Sequence, residues 1–431
     1  MHRRRRLDMG MTIIEKIMAH HSGREKVVSG EYVTAIIDQV CIYDSFIDIH
    51  KDMEKAGIEG GLSRVWDKDR VVVLIDHKSP AVDRNVKAAG EHAEIRNLVK
   101  KLRLPHFYDV KAGICHQIMA ERGFVLPGSL VVVPDSHTLL YGALNCGGTG
   151  IGETEMAWVL HFGELWFKVP STIKVEVSGG LSKGVMAKDI FLHLSGRYGT
   201  EVAIYRSIEW AGWCIDGLSL DERFSLAVQS TELGAKFSLF TADQLVLDYV
   251  KQRAVRPYEA VRPDRDAEYE KVYKVNASEL EPLVGLPHGM DVVKPARDLQ
   301  DIPINQAVIG GCTNGRLEDL GLAARMLKGK KVHPDVRLIV GPASWEIYKA
   351  AMKAGFLEPL IDAGAIICHP HCGPCTGRFG TLARGEICIT STSRNFKGRM
   401  GSPEAKIYLA SPATVAASAI EGHITDPREV L

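Results

Sequence analysis

The sequence lacks the marks of several large protein classes. Its 431 residues contain no apolar run near the ~20 residues a membrane helix needs. The start, Met1-His-Arg-Arg-Arg-Arg-Leu7, has no apolar stretch of the kind a secretory signal requires. Met9 and Met11 follow closely, so residues 1–10 are set aside as a non-native or disordered start. Charge of one sign is missing as well. Lys plus Arg and Asp plus Glu each number 53, a formal net charge of zero, so no global field favours nucleic acid or an anionic membrane. Cysteine is sparse and odd in number, nine in all, which argues against a disulfide framework and for a reducing cytoplasm. Short-period repeats and low-complexity tracts are absent.

What is present is enough apolar residue, 45% of the chain, for two or three ordinary cores. Short β-rich runs alternate with amphipathic segments, a pattern of α/β architecture. The runs include Val71–Ile75, Leu130–Val133, Lys174–Val177, Ala307–Ile309 and Val336–Val340. Several lead straight into polar or glycine-rich turns: Asp76-His77, Asp135-Ser-His-Thr138 and Gly310-Gly-Cys-Thr-Asn-Gly315. Open parallel sheets bind ligands at the carboxyl ends of their strands, so these turns are candidate sites. The expected division is an α/β domain at 11–160, a second at 161–297 and a third at 298–431. Residues 251–297, rich in charge and proline, are expected to form a surface linker.

The sharpest local feature is Cys372-Gly-Pro-Cys375. Alone it fits a redox dithiol, half a zinc site or iron–sulfur ligation. Its position does not suit a thioredoxin-like motif, which opens a helix near the start of a small βαβ domain. His369 and His371 keep zinc in view, while Cys312 lies far upstream in its own glycine-flanked turn. Three thiolates are one short of a closed four-cysteine cluster, which would leave one iron free to act as a Lewis acid.

These residues resemble a known family. Gly310-Gly-Cys-Thr-Asn-Gly-Arg316 resembles the G-S-C-T-N-x-R turn of the aconitase superfamily, and His371-Cys-Gly-Pro-Cys-Thr-Gly377 its G-C-G-P-C-x-G loop. Ser391-Thr-Ser-Arg-Asn-Phe-Lys-Gly-Arg-Met-Gly401 resembles its S-x-N-R-N-F-x-G-R-x-G segment. Asp76-His77, Gly113-Ile-Cys-His-Gln117, Pro134-Asp-Ser-His-Thr138, Thr149-Gly-Ile-Gly152 and Tyr408-Leu-Ala-Ser-Pro-Ala-Thr-Val415 with Gly422-His423 follow in the family's order. The nearest look is to large subunits of the isopropylmalate dehydratase and homoaconitase type.

The resemblance implies three α/β/α domains around a central cluster-binding cleft, without the swivelling fourth domain. It implies one [4Fe–4S] cluster held by Cys312, Cys372 and Cys375. It gives Asp76, His77, His116, Asp135, His137 and Glu232 catalytic roles in proton exchange. Ser136, Arg394 and Arg399 would bind substrate; a planar guanidinium suits a carboxylate clamp. Taken singly, an Asp-His after a strand is ordinarily a turn, and Arg394 or Arg399 a surface arginine. Only the ordered set carries the reading.

The expected reaction is reversible dehydration and rehydration of a hydroxy di- or tricarboxylate, with isopropylmalate as leading substrate. Homocitrate or homoaconitate, citramalate and dimethylmalate are the alternatives. The family's base serine lies on the swivelling domain, for which the chain up to Leu431 leaves no room. A small-subunit partner carrying that domain is therefore expected, with no nucleic acid or membrane partner. Phe46, Val228 and Ser393 stand where the family usually has threonine, asparagine and asparagine. With Leu139, Leu140 and Asn145-Cys146, they are expected to alter the pocket. An electron-transfer iron–sulfur protein, an RNA-binding regulator and a structural zinc protein are the rivals from other classes.

Overall fold

The computed structural model describes residues 10–57, 61–81 and 84–431. All but Gly10 of the segment set aside as a non-native start lies outside the described residues. Three sheets carry the architecture. The first is all parallel, in the order His106–Tyr108, Val71–Leu74, Gln39–Ile42, Leu130–Val133, Gly147–Gly150. Every residue of Val71–Leu74 and Leu130–Val133 is buried. Continuous valine-rich runs are what a parallel strand covered on both faces demands. A two-stranded antiparallel ribbon, Tyr32–Ile36 with Glu164–Lys168, packs beside this sheet and alternates buried and exposed side chains along Tyr32–Ile36.

The middle sheet is also parallel, in the order Phe237–Phe240, Ser207–Ala211, Thr172–Ser178, Lys271–Asn276. The third has seven strands: Val293–Pro295, Leu283–Gly285, Lys406–Ala410, Ile387–Thr390, Gln306–Gly310, Arg337–Gly341, Ile366–Ile367. Leu283–Gly285 runs antiparallel to both its neighbours, and the other pairings are parallel. Two strands upstream of residue 298 thus join the third sheet. The five runs read as strands from the sequence all fall on strands of the fold.

The charged stretch 251–297 is not a bare linker. Lys271–Asn276 forms the outer strand of the middle sheet, where an edge tolerates the exposed Lys271 and Lys274. Upstream, Val261 and Arg256 return to the first unit, where the Val261 N–H donates to Asn145 Oδ1 at 2.8 Å and Arg256 Nη2 donates to Gln39 Oε1 at 2.5 Å. Charge in this stretch marks an edge and a return path that sequence composition does not separate from a loop.

One buried apolar cluster runs through all three units, from Cys41 and Val72 through Ile190 and Phe224 to Val340 and Ile424. Asn145 rivets the first two. It takes a left-handed backbone, φ 61°, which asparagine tolerates, and its amide donates to the carbonyls of Phe240 and Val261, both at 2.9 Å. Among the described residues, no helix is long and apolar enough to cross a membrane.

Candidate active site

The carboxyl ends of the first and third sheets face one another, and the polar turns of both meet there. Asp44 follows Gln39–Ile42, Asp76 and His77 follow Val71–Leu74, and Asp135 follows Leu130–Val133. From the third sheet, Cys312 follows Gln306–Gly310, Cys372 follows Ile366–Ile367, and Arg394 follows Ile387–Thr390. Glu232 arrives from the middle unit, in the short helical turn Ser230–Leu233.

Asp135 is the hub. Its Oδ1 lies 2.9 Å from His116 Nε2 and 3.8 Å from His137 Nδ1, and its Oδ2 lies 3.4 Å from His77 Nε2. The other nitrogen of His77 sits 2.7 Å from Asp76 Oδ1. The far side of His116 reaches the Tyr141 hydroxyl at 3.3 Å. His137 Nε2 is 3.7 Å from Glu232 Oε1, which accepts from Arg394 Nε at 2.5 Å. Arg394 also donates to Ser136 Oγ at 2.9 Å. All six expected proton-exchange residues therefore join one network with Ser136 and Arg394.

The electrostatics follow from that packing. Burial opposes charge on His116, but Cys115 and the Asp135 carboxylate outweigh it and lift the imidazole to about 10. Burial likewise works against His77, yet Asp76, Cys372 and Asp135 raise it well above its ordinary value. For Asp135 burial would raise the carboxyl, and the bonds to His116 and His77 hold it well below the usual range. Burial is also outweighed at Glu232, kept low by His137 and Arg394. Histidines and carboxyl groups alternate through the network.

The three expected ligand cysteines are buried free thiols. Cys372 and Cys375 share one turn, the Cys375 N–H donating to Cys372 O at 3.2 Å. The turn of Cys312 abuts it: a Cβ placed on Gly311 would lie 3.9 Å from that of Cys375. Gly311, φ 80°, and Gly377, φ 70°, take the left-handed backbone these two tight turns need. Arg399 Nη2 reaches Cys375 Sγ at 3.5 Å and Ser393 Oγ lies 3.4 Å from it. Burial pushes that thiol up, but Arg399 and Ser393 outweigh it and hold it below its ordinary value. Cys312 Sγ is 3.6 Å from His137 Nδ1. Three buried polar atoms within two residues of these cysteines lack a hydrogen-bond partner: Thr313 Oγ1, Asn314 Oδ1 and His371 Nε2. Orphaned groups of this kind ask for an occupant. Three sulfurs with donors aimed at them fit ligation of an iron–sulfur group.

Arg399 differs from Arg394 in what it touches. Its guanidinium is spent on the carbonyl and sulfur of Cys375, with Nε donating to Cys375 O at 3.1 Å. The departures also separate. Phe46 and Val228 are packed in the apolar cores, while Ser393 faces Cys375. Leu139 lines a cavity of about 360 Å³ beside Asp135, Ser136 and Thr149.

Sequence reasoning gave Tyr43, Asp44 and His92 no role in the site. Tyr43 stacks on His77, ring centroids 4.1 Å apart, and donates to Pro134 O at 2.8 Å. Asp44 accepts the N–H groups of Asp76, His77 and Lys78 at 3.1, 2.8 and 3.1 Å, and lies 3.1 Å from His92 Nε2. Asp44, Asp76 and His77 stand close enough to resemble a metal triad. Their donors are already turned to protein hydrogens, so the cluster is a brace for His77. The signal that could have found Asp44 is the one used for Asp76: a carboxylate directly after a buried strand.

The chain belongs to the aconitase family (aconitate hydratase), which matches it over residues 15–297 and 289–422. It is similar, at 47% identity over 98% of this chain and 100% of the relative, to "3-isopropylmalate dehydratase large subunit 1" of Methanopyrus kandleri. The large subunit from Aquifex aeolicus is 44% identical over 98% of each chain. The probable large subunit from Methanothermobacter thermautotrophicus is 43% identical over 97% of this chain and 99% of its own. A crystal structure of Thermococcus kodakaraensis aconitase X in its holo-form shares the fold, with TM-score 0.51 and 12% identity over 84% of each chain. The chain is thus a hydro-lyase.

Proposed function

We propose that this chain is the large subunit of a 3-isopropylmalate dehydratase, which interconverts 2- and 3-isopropylmalate through loss and return of water. The observation that carries it is full-length identity of 43–47% to large subunits of that name. The site chemistry agrees with it. Cys312, Cys372 and Cys375 would hold a [4Fe–4S] cluster, which when bound supplies a Lewis acid to the substrate hydroxyl.

The chain's own residues do the rest. Arg394, already oriented by Glu232 and Ser136, presents a planar donor fork to a substrate carboxylate. The Asp135–His116 pair holds a proton at His116 Nε2 and can release it to a departing hydroxyl, which leaves badly unless protonated. Asp76 and Tyr43 fix the ring of His77 beside Asp135, so the proton store has a second member. Arg399 and Ser393 keep the Cys375 sulfur supplied with donors.

The partner is a small subunit carrying the swivelling domain and its base serine. Nine free cysteines, all buried, suit a reducing cytoplasm. The test is anaerobic co-purification with the small subunit, followed by iron and sulfide analysis and turnover of 3-isopropylmalate. Near four irons per large subunit with turnover only in the pair is the expected result. Zinc in place of iron, or turnover of none of the candidate acids, refutes it.

A further inference from the structure

Three successive carbonyls of the loop that leads into Arg394 are held by side chains of the middle unit. Lys188 Nζ donates to Ser391 O, and to Thr392 O at 2.8 Å. Gln229 Nε2 donates to Ser393 O at 3.2 Å. The next residue is Arg394 itself, and Asn395 is tied down in turn through its amide to Leu286 O at 2.8 Å.

Lys188 is only 1% exposed, in the first turn of helix Ala187–Tyr198. An ammonium in such a place is expensive to desolvate. Burial draws its pKa down to about 7 against the raising influence of Asp319, Cys375, Asp189 and Cys312. Docking of this helix on the third unit does not require the charge. The neighbouring Asp189 already accepts the N–H groups of Met186 and Leu283, each at 2.8 Å, and Ile190 and Phe191 are fully buried beside it. An apolar side chain of similar length would pack there with less desolvation. What the ammonium adds is direction, since it fixes two adjacent peptide planes immediately before Ser393 and Arg394.

We infer that Lys188, assisted by Gln229, is a positioning residue that sets the Ser391–Arg394 loop, and through it the substrate-facing guanidinium, from the middle unit. This rests on the reading of Arg394 as a substrate-carboxylate ligand. The geometry of the clamp then depends on how helix Ala187–Tyr198 sits against the third unit.

The experiment uses the anaerobic holoenzyme with its small subunit, in wild type, K188M, Q229L, R394A and the two double variants with R394A. Iron content, unfolding temperature, kcat, KM and the dissociation constant of 3-isopropylmalate from its effect on the cluster's resonance spectrum are measured. K188M is expected to weaken binding by about tenfold or more, the size of a lost charge-assisted hydrogen bond, with a smaller change in kcat. Iron content should stay at the wild-type level. In the R394A background K188M should have little further effect, because its action runs through Arg394. Unchanged binding in K188M, or an effect that simply multiplies that of R394A, overturns the inference. If K188M does not fold or hold iron, Q229L decides, with an expected weakening of about three- to tenfold that also vanishes with R394A. Unchanged binding in R394A itself would instead refute the reading of Arg394.

Discussion

The Asp44 carboxylate accepts the backbone N–H of His77 at 2.8 Å, so the turn that aims the His77 imidazole is nailed to a residue of the neighbouring strand end. Three consecutive N–H groups, from Asp76 to Lys78, converge on this one side chain. Burial alone would raise its pKa, but His92, His77 and the backbone donors outweigh it and hold the carboxyl at about 2. Asp44→Asn should therefore lose about 1.5–3 kcal/mol of stability at neutral pH. A depressed carboxyl stabilises the fold above its unfolded pKa, ~3.9, and that contribution fades as pH falls toward the folded value. Urea unfolding of the two proteins should show a gap that persists from pH 7 to about pH 4 and narrows below it. A gap of constant size would argue that shape rather than charge is at stake.

The two arginines of the third-unit loop should behave differently. Arg394 bonds Glu232 and Ser136, whereas Arg399 bonds Cys375. Arg394→Lys is expected to raise KM for 3-isopropylmalate about tenfold while iron content holds. Arg399→Met should instead weaken iron retention during dilution or mild chelation. Iron assays beside steady-state kinetics separate the two; identical behaviour would mean the two guanidiniums share one task.

Cysteine replacement should sort the nine thiols into two groups. Cys312→Ala, Cys372→Ala and Cys375→Ala are each expected to lose most of the about four irons per chain. Cys388→Ala, at a fully buried position in a separate small apolar cluster, should keep its iron and lose about 1–2 kcal/mol of stability. Iron retained at full level after Cys312→Ala would remove that residue from the ligand set.

Two glycines should respond with opposite sign. A Cβ on Gly142 would stand 1.4 Å from Ser238 O, where the helical turn Ser136–Leu144 lies on strand Phe237–Phe240. Gly142→Ala should cost about 3 kcal/mol or more, because a backbone carbonyl cannot step aside. Gly90 sits within helix Val86–Leu102 with open space where a Cβ would go. Gly90→Ala should stabilise by about 0.5–1 kcal/mol. Thermal or chemical unfolding of the two variants checks both signs at once.

Local chemistry was readable without coordinates. Val71–Leu74, Leu130–Val133 and Gln306–Gly310 declare themselves as strands because a β-branched apolar run ending in a polar turn has few other uses. The ordered blocks around Cys312, Cys372 and Cys375 mark the ligand candidates, because thiols in glycine-flanked turns have a narrow repertoire. The run 251–297 is harder, since a short edge strand carrying Lys271 and Lys274 has the composition of a loop.

Tertiary structure alone decided which polar residues share a site. Asp44 stands 32 residues before Asp76, and Lys188 stands 203 before Ser391, yet each is bonded to its distant partner. Asp44 at least follows a buried strand, but no local pattern marks Lys188, because a buried ammonium looks in sequence like any surface charge. Phe46 and Val228 are both fully buried in apolar clusters, and the cluster that holds Val228 also holds Cys312. The sequence by itself determined the family, the strands and the chemistry available at their ends. The meeting of three sheets decided which donors face which acceptors, because burial against a partner, and not residue type, sets the strength and direction of a charge.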